Sequence, residues 1–132
     1  MSTLRITESN NDRIEYEVSE EKELRDLLYN LVKKESRVVI LEIPNVGIFT
    51  LGVGLPYGFV QYSKSGDPPY LVASDNGNAE VIDLDDEIEF DANGTPTPIP
   101  KRLCLPYDRI VDIIIHFFIS HDLPRFVKWE EI

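Results

Sequence analysis

Carboxylates dominate the chemistry open to this chain. Eight acidic residues and no basic one lie between Asp75 and Asp91. From Ile82 to Asp91 the run alternates. Ile82, Leu84, Ile88 and Phe90 share one parity, Asp83, Asp85, Glu87, Glu89 and Asp91 share the other, and Asp86 breaks the pattern. Side chains of a strand point alternately to opposite faces, so this order predicts an apolar underside beneath a row of carboxylates. Like charges side by side repel and lower stability. Such a row has a use where something basic binds it, and its plainest structural reading is a solvated face of an acidic protein. Carboxylates at every second residue also occur in calcium loops, which need Gly at the sixth position and Glu at the twelfth. Counted from Asp83, those positions hold Ile88 and Gly94, so no calcium site is expected.

The other reactive residue types are sparse. His116 and His121 are the only histidines, with no HExxH or HxH pattern around them. Asp112 and His116 stand one helical turn apart and are the one pair an acid–base enzyme could use; a structural pair on an exposed helix stripe is the simpler reading. Cys104 is the only cysteine and lacks the flanking histidine or second cysteine that would mark a nucleophile or a zinc ligand. There is no GxSxG elbow, GxGxxG turn or phosphate loop. Gly52-Val53-Gly54 runs on into Leu55-Pro56-Tyr57, which puts a proline and a ring where a phosphate loop needs bare backbone. No catalytic residue, metal or cofactor is therefore expected. Tyr57 and Tyr70 sit in loop-like contexts, where tyrosine serves either as an interface anchor or as cover for a core.

The composition narrows the partners. The 132 residues carry 24 acidic against 13 basic side chains, a net charge of -11. Nucleic acid and anionic membrane repel such a surface, so neither is an expected partner, whereas a cationic protein would be steered toward it. An apolar content of 42% supports an ordinary core, and the length suits a single domain over residues 1–132. A single cysteine excludes an intrachain disulfide and fits a reducing cytoplasm. The segment from Met1 to Asp12 is too polar for a signal peptide. The longest apolar stretch, Ile113 to Ile119, is too short to span a bilayer.

The elements that must position these residues follow from periodicity. Arg13 to Val18 reads as a strand. Ser19 is placed to cap a helix in which Leu24, Leu27, Leu28, Leu31 and Val32 recur at helical spacing, with Glu20, Glu21 and Glu23 near its start and Lys33 and Lys34 near its end. A meander follows: strands at Arg37 to Ile43, Val46 to Val53, Phe59 to Ser63 and Tyr70 to Ala73, then the acidic strand. Asn93-Gly94 signals a turn, and Thr95 to Pro100 reads as extended and irregular. Pro106 suits the start of a second helix running to about Ser120. That helix is apolar except for the stripe Arg109, Asp112, His116 and Ser120, and so must be buried against the sheet. Phe126 to Ile132 reads as a terminal strand whose free edge leaves self-pairing open. The expected fold is α+β, a mostly antiparallel sheet of about six strands packed with two helices.

The C-terminal part of this pattern resembles family one of the Imm series, the small immunity proteins that protect bacteria from polymorphic toxins. The resembling features are Gly77 and Glu80, Ile88 to Phe90, the helix start at Leu105-Pro106, Phe117-Phe118, Pro124 and Val127-Lys128-Trp129. The likeness covers about Val38 to Ile132. The family commonly has a glycine between helix and proline, where this chain has His121 or Asp122. Glycine there would form a left-handed helix cap, a conformation that histidine and aspartate tolerate at a cost. The resemblance implies a non-enzymatic inhibitor of a cognate basic toxin domain, with nucleic-acid deaminases and nucleases as frequent toxin partners. The expected contact residues are Asp83, Asp85, Glu87, Glu89 and Asp91 with Tyr57 and Tyr70. The alternatives are a non-catalytic adaptor or structural subunit of a larger complex, and a small enzyme using Asp112 and His116.

Overall fold

A computed structural model describes residues 2–8, 13–74, 87–92 and 94–132. Among them the chain runs β1 (Ser2–Thr7), β2 (Arg13–Val18), α1 (Glu21–Leu31), β3 (Arg37–Ile43), β4 (Gly47–Val53), β5 (Tyr57–Ser63) and β6 (Leu71–Ser74). It continues with β7 (Glu87–Ala92), β8 (Thr95–Pro100), β9 (Leu105–Pro106), α2 (Tyr107–Ser120) and β10 (Lys128–Glu131). The main path of the sheet is β10-β6-β5-β4-β3-β1-β2, with neighbours antiparallel throughout. The β7–β8 hairpin joins it through a single parallel bridge, Arg37 to Asp91, and β9 pairs with the start of β5.

The α+β class matches the sequence reading, with two helices and a largely antiparallel sheet, but the described strands number ten where about six were expected. Part of the shortfall lies in strands that local pattern does not announce. β1 alternates only Leu4 and Ile6 among polar residues, β9 is two residues long, and β8 carries three prolines. Both helices fall where periodicity put them. Ser19 does not cap α1, however. Glu20 takes the extended cap position, and the Ser19 hydroxyl instead donates to Glu23 Oε1 at 2.7 Å. The terminal strand is shorter than expected, Lys128–Glu131, and leaves Phe126 outside it.

Both helices cover one face of the sheet. α1 lays Leu24, Leu28 and Leu31 on it, and α2 lays Ile110, Val111, Ile113, Ile114 and Phe117, all buried. Against them stand Leu4, Ile6, Val39, Leu41, Phe49, Leu51 and Val60. Each such side chain contributes about 1.5–3 kcal/mol by leaving water. Phe117 centres an aromatic cluster, with ring centroids 4.8 Å from Phe49, 4.7 Å from Tyr62 and 5.9 Å from Trp129. The buried Tyr107 hydroxyl ties the helices together by donating to the Leu28 carbonyl at 2.6 Å.

The opposite face of the sheet carries a second, smaller core. Residues of the other parity, Val38 on β3 and Phe59 on β5, meet Ile88, Phe90, Ile99 and Cys104. The hairpin is thus clamped onto the sheet by its underside. Gly52 makes this possible: a Cβ there would run into the Phe59 ring and touch Phe90.

Arg37 locks the junction of these layers. It is buried, donates two hydrogen bonds to Glu8 at 2.7 and 2.8 Å, and donates further to the carbonyls of Leu31 and Glu35. The bonds to Arg37 hold the Glu8 carboxyl below its usual value, against the opposing effect of partial burial.

Candidate partner-binding face

The alternation read from the sequence holds along β7. Ile88 and Phe90 point down onto the small core, where the Phe90 and Phe59 rings meet edge to face at 5.0 Å. Glu87, Glu89 and Asp91 point outward and are exposed. Asp83 and Asp85, the other two carboxylates of the expected row, lie outside the described residues.

Across the hairpin, β8 sets Pro100 opposite Glu87, Pro98 opposite Glu89 and Pro96 opposite Asp91. A proline has no N–H to give to a ladder. The hydrogen-bonded pairs must therefore be the intervening ones, Ile88 with Ile99 and Phe90 with Thr97. The outer face of the hairpin is consequently a plate of carboxylates on one strand and proline rings on the other.

Part of the acidic surface is paired and part of it is not. Glu8, Glu15, Glu21, Glu42, Asp112 and Glu130 each lie within salt-bridge distance of an arginine. Among the described residues, no cation lies that close to Glu87, Glu89 or Asp91. Three like charges spaced about 6.6–6.8 Å apart along the strand therefore stand without an ion-pair partner.

Tyr57 and Tyr70 lie apart from each other. Tyr57, half-buried, opens a cleft of about 440 Å³ lined by Ser36, Leu55, Pro56, Tyr57, Glu87, Ile88 and Lys101. The fold thus brings Tyr57 together with Glu87 at one end of the plate. The Lys101 ammonium sits over the Tyr57 ring, 5.8 Å from its centroid. Tyr70 precedes β6, which pairs its first residue Leu71 with Tyr62 near the far end of β5. Five strand residues, about 17 Å, separate that end from Tyr57. There the Tyr70 hydroxyl donates to the Gly66 carbonyl at 3.3 Å.

Two features escaped the sequence reading. Leu55 is 70% exposed at the bend between β4 and β5, beside Tyr57 and Lys101; a leucine in a Gly-Leu-Pro bend was the available signal. The period-two prolines of Thr95 to Pro100 were the signal for an edge strand rather than an irregular segment.

The remaining candidates resolve into structural roles. Asp112 accepts from Arg25 of α1 at 3.3 Å. His116 meets the Phe126 ring edge-on at 5.9 Å, and the Arg109 guanidinium lies over the same ring at 5.5 Å. These side chains stitch α2 to α1 and to the segment that follows. The buried Cys104 thiol, 3.7 Å from the Pro100 carbonyl, is pushed up to about 11 by burial, which makes it a poor nucleophile. His121 occupies the left-handed cap of α2, φ 60 and ψ 19, at the site where the resemblance calls for glycine. Among the described residues no group of three or more His, Cys, Asp or Glu could hold a metal, and no helix is long and apolar enough to cross a membrane.

The fold is α+β, with a row of exposed carboxylates on β7. The chain is a member of the family of immunity protein Imm1, whose family model matches residues 12–131. No curated protein matches it. Immunity proteins neutralise a cognate toxin, and that is the coarse function membership assigns.

Proposed function

We propose that this protein neutralises a toxin domain that acts on nucleic acid, a deaminase or nuclease, by laying its acidic plate over the toxin's basic substrate groove. The observation that carries this reading is the row Glu87, Glu89 and Asp91, exposed and without a cation partner among the described residues. Asp83 and Asp85 extend the same row in sequence. A groove built to hold phosphates presents lysine and arginine at comparable spacing, so the plate competes for the surface the substrate needs. Charge of this kind acts mainly on encounter: it raises the association rate and makes it salt-dependent. The protein acts as an inhibitor without chemistry of its own, in the cytoplasm where the toxin's substrate lies.

The test begins with capture of the partner from source-cell lysate by the tagged protein, followed by stopped-flow mixing of the two purified proteins. Reversing Glu87, Glu89 and Asp91 to lysine is expected to slow association by at least about tenfold at low salt and to flatten its salt dependence. The dissociation rate should change less. Association of the triple variant at the wild-type rate would remove the plate from the interface.

A further inference from the structure

Charge on the plate explains encounter but not residence, because exposed ion pairs add little net affinity. Tight complexes are held by apolar or aromatic anchors that fill pockets ringed by polar groups. Among the described residues, a cleft at the end of the plate meets this description. Its volume of about 440 Å³ lies within the range of about 300–1,000 Å³ typical of binding pockets. Leu55, Pro56, the Tyr57 ring and Ile88 give it an apolar lining, while Glu87 belongs both to the cleft and to the acidic row. Leu55, 70% exposed, is a large apolar side chain that gains from being covered.

We infer that this cleft is the anchor of the interface: it receives one aromatic side chain carried on a basic loop of the toxin. The inference rests on the neutralisation reading and names the partner chemistry at its contact point. Lys101 already occupies the cation seat over the Tyr57 ring. An incoming cation therefore finds its partner at Glu87 and Glu89 rather than on the ring, and the lining beside Leu55 and Ile88 is left for an uncharged group. A flat aromatic side chain covers most apolar area there for the fewest rotatable bonds. Cations flanking it in the loop then meet the start of the acidic row. Apolar anchor and charged rim are in this way divided between the bend and the hairpin.

The test uses two peptides in place of the toxin, acetyl-Arg-Trp-Arg-amide and acetyl-Arg-Gly-Arg-amide, titrated into the full-length protein with NMR detection. The expected result is saturable shifts at Leu55, Tyr57, Ile88 and Lys101 with the tryptophan peptide, and binding at least about fivefold weaker with the glycine peptide. Leu55→Ser, at an exposed position that should not disturb folding, should remove that difference while leaving the shifts at Glu89 and Asp91. Equal binding of the two peptides along the carboxylate row would overturn the anchor and leave the acidic plate standing. Shifts centred elsewhere, for instance on Glu20, Glu21 and Glu23, would overturn both.

Discussion

Replacing His121 by glycine should make the protein more stable. His121 is the C-cap of α2, with φ 60 and ψ 19, and its N–H donates to the Phe117 carbonyl at 2.9 Å. An L-residue in that conformation brings Cβ too near the following carbonyl, at a cost of about 1–2 kcal/mol that glycine does not incur. Glycine gives back about 0.5–1 kcal/mol because it is freer in the unfolded chain. The imidazole is exposed, so its loss removes little packing. The net gain is then about 0.5–1 kcal/mol. At an unfolding entropy of about 2.1 cal/mol/K per residue, the whole chain has about 280 cal/mol/K, and Tm should rise by about 2–4 °C. Differential scanning calorimetry at neutral pH measures this directly. His121→Ala serves as the control, since it keeps the strain and drops the ring, and should not melt above wild type. A His121→Gly protein that melted at or below wild type would refute the strain argument and show that the imidazole makes an offsetting contribution.

Three further outcomes follow from buried polar groups. Glu8→Gln should destabilise by about 2 kcal/mol at neutral pH, because charge-assisted bonds to a buried arginine are lost. The folded-state pKa of Glu8 is depressed, so its contribution is present above the unfolded value near 4.5 and lost as pH falls below it. The gap between wild type and variant in urea unfolding should therefore shrink in that acid range, and a gap constant to pH 2 would contradict the pairing. Tyr107→Phe should cost about 1–1.5 kcal/mol through the missing bond to Leu28. Because burial raises the Tyr107 pKa most strongly, alkaline spectrophotometric titration of the native protein should leave Tyr107 un-ionised after the half-buried tyrosines have titrated. Cys104, buried and pushed up to about 11, should resist alkylation at pH 8 until the protein unfolds; rapid labelling of the folded state would count against its burial.

Periodicity disclosed the two helices and most of the meander because each has one face in the large core. The parity of Ile88 and Phe90 against Glu87, Glu89 and Asp91 likewise gave the orientation of β7 before any coordinate. What stayed hidden depends on contacts distant in sequence. β8, Thr-Pro-Thr-Pro-Ile-Pro, carries strand-favouring Thr and Ile among prolines that mask them; β7 beside it and Phe59 beneath it complete the strand. β9 exists because two residues happen to run along the start of β5. Tyr57 and Tyr70 look equivalent in sequence and were grouped together, yet β5 separates them along its own length. Leu55 joins Glu87 in one cleft although 31 residues intervene, and no local pattern carries that information.

The prolines of β8 have a consequence for how recognition can change over time. Their rings stand where outward-facing N–H groups would be, so the free margin of the hairpin offers carbonyls and no donors to an approaching strand. Neither a toxin strand nor a second copy can zip onto it through main-chain bonds, which read almost any sequence alike. Along this margin the hairpin is addressed through side chains. Side chains are altered one codon at a time, whereas a main-chain ladder is common to every variant. If the plate binds as proposed, a face whose β8 margin is closed to main-chain pairing can be retuned to a new toxin by substitutions on its surface, with the fold beneath it left alone.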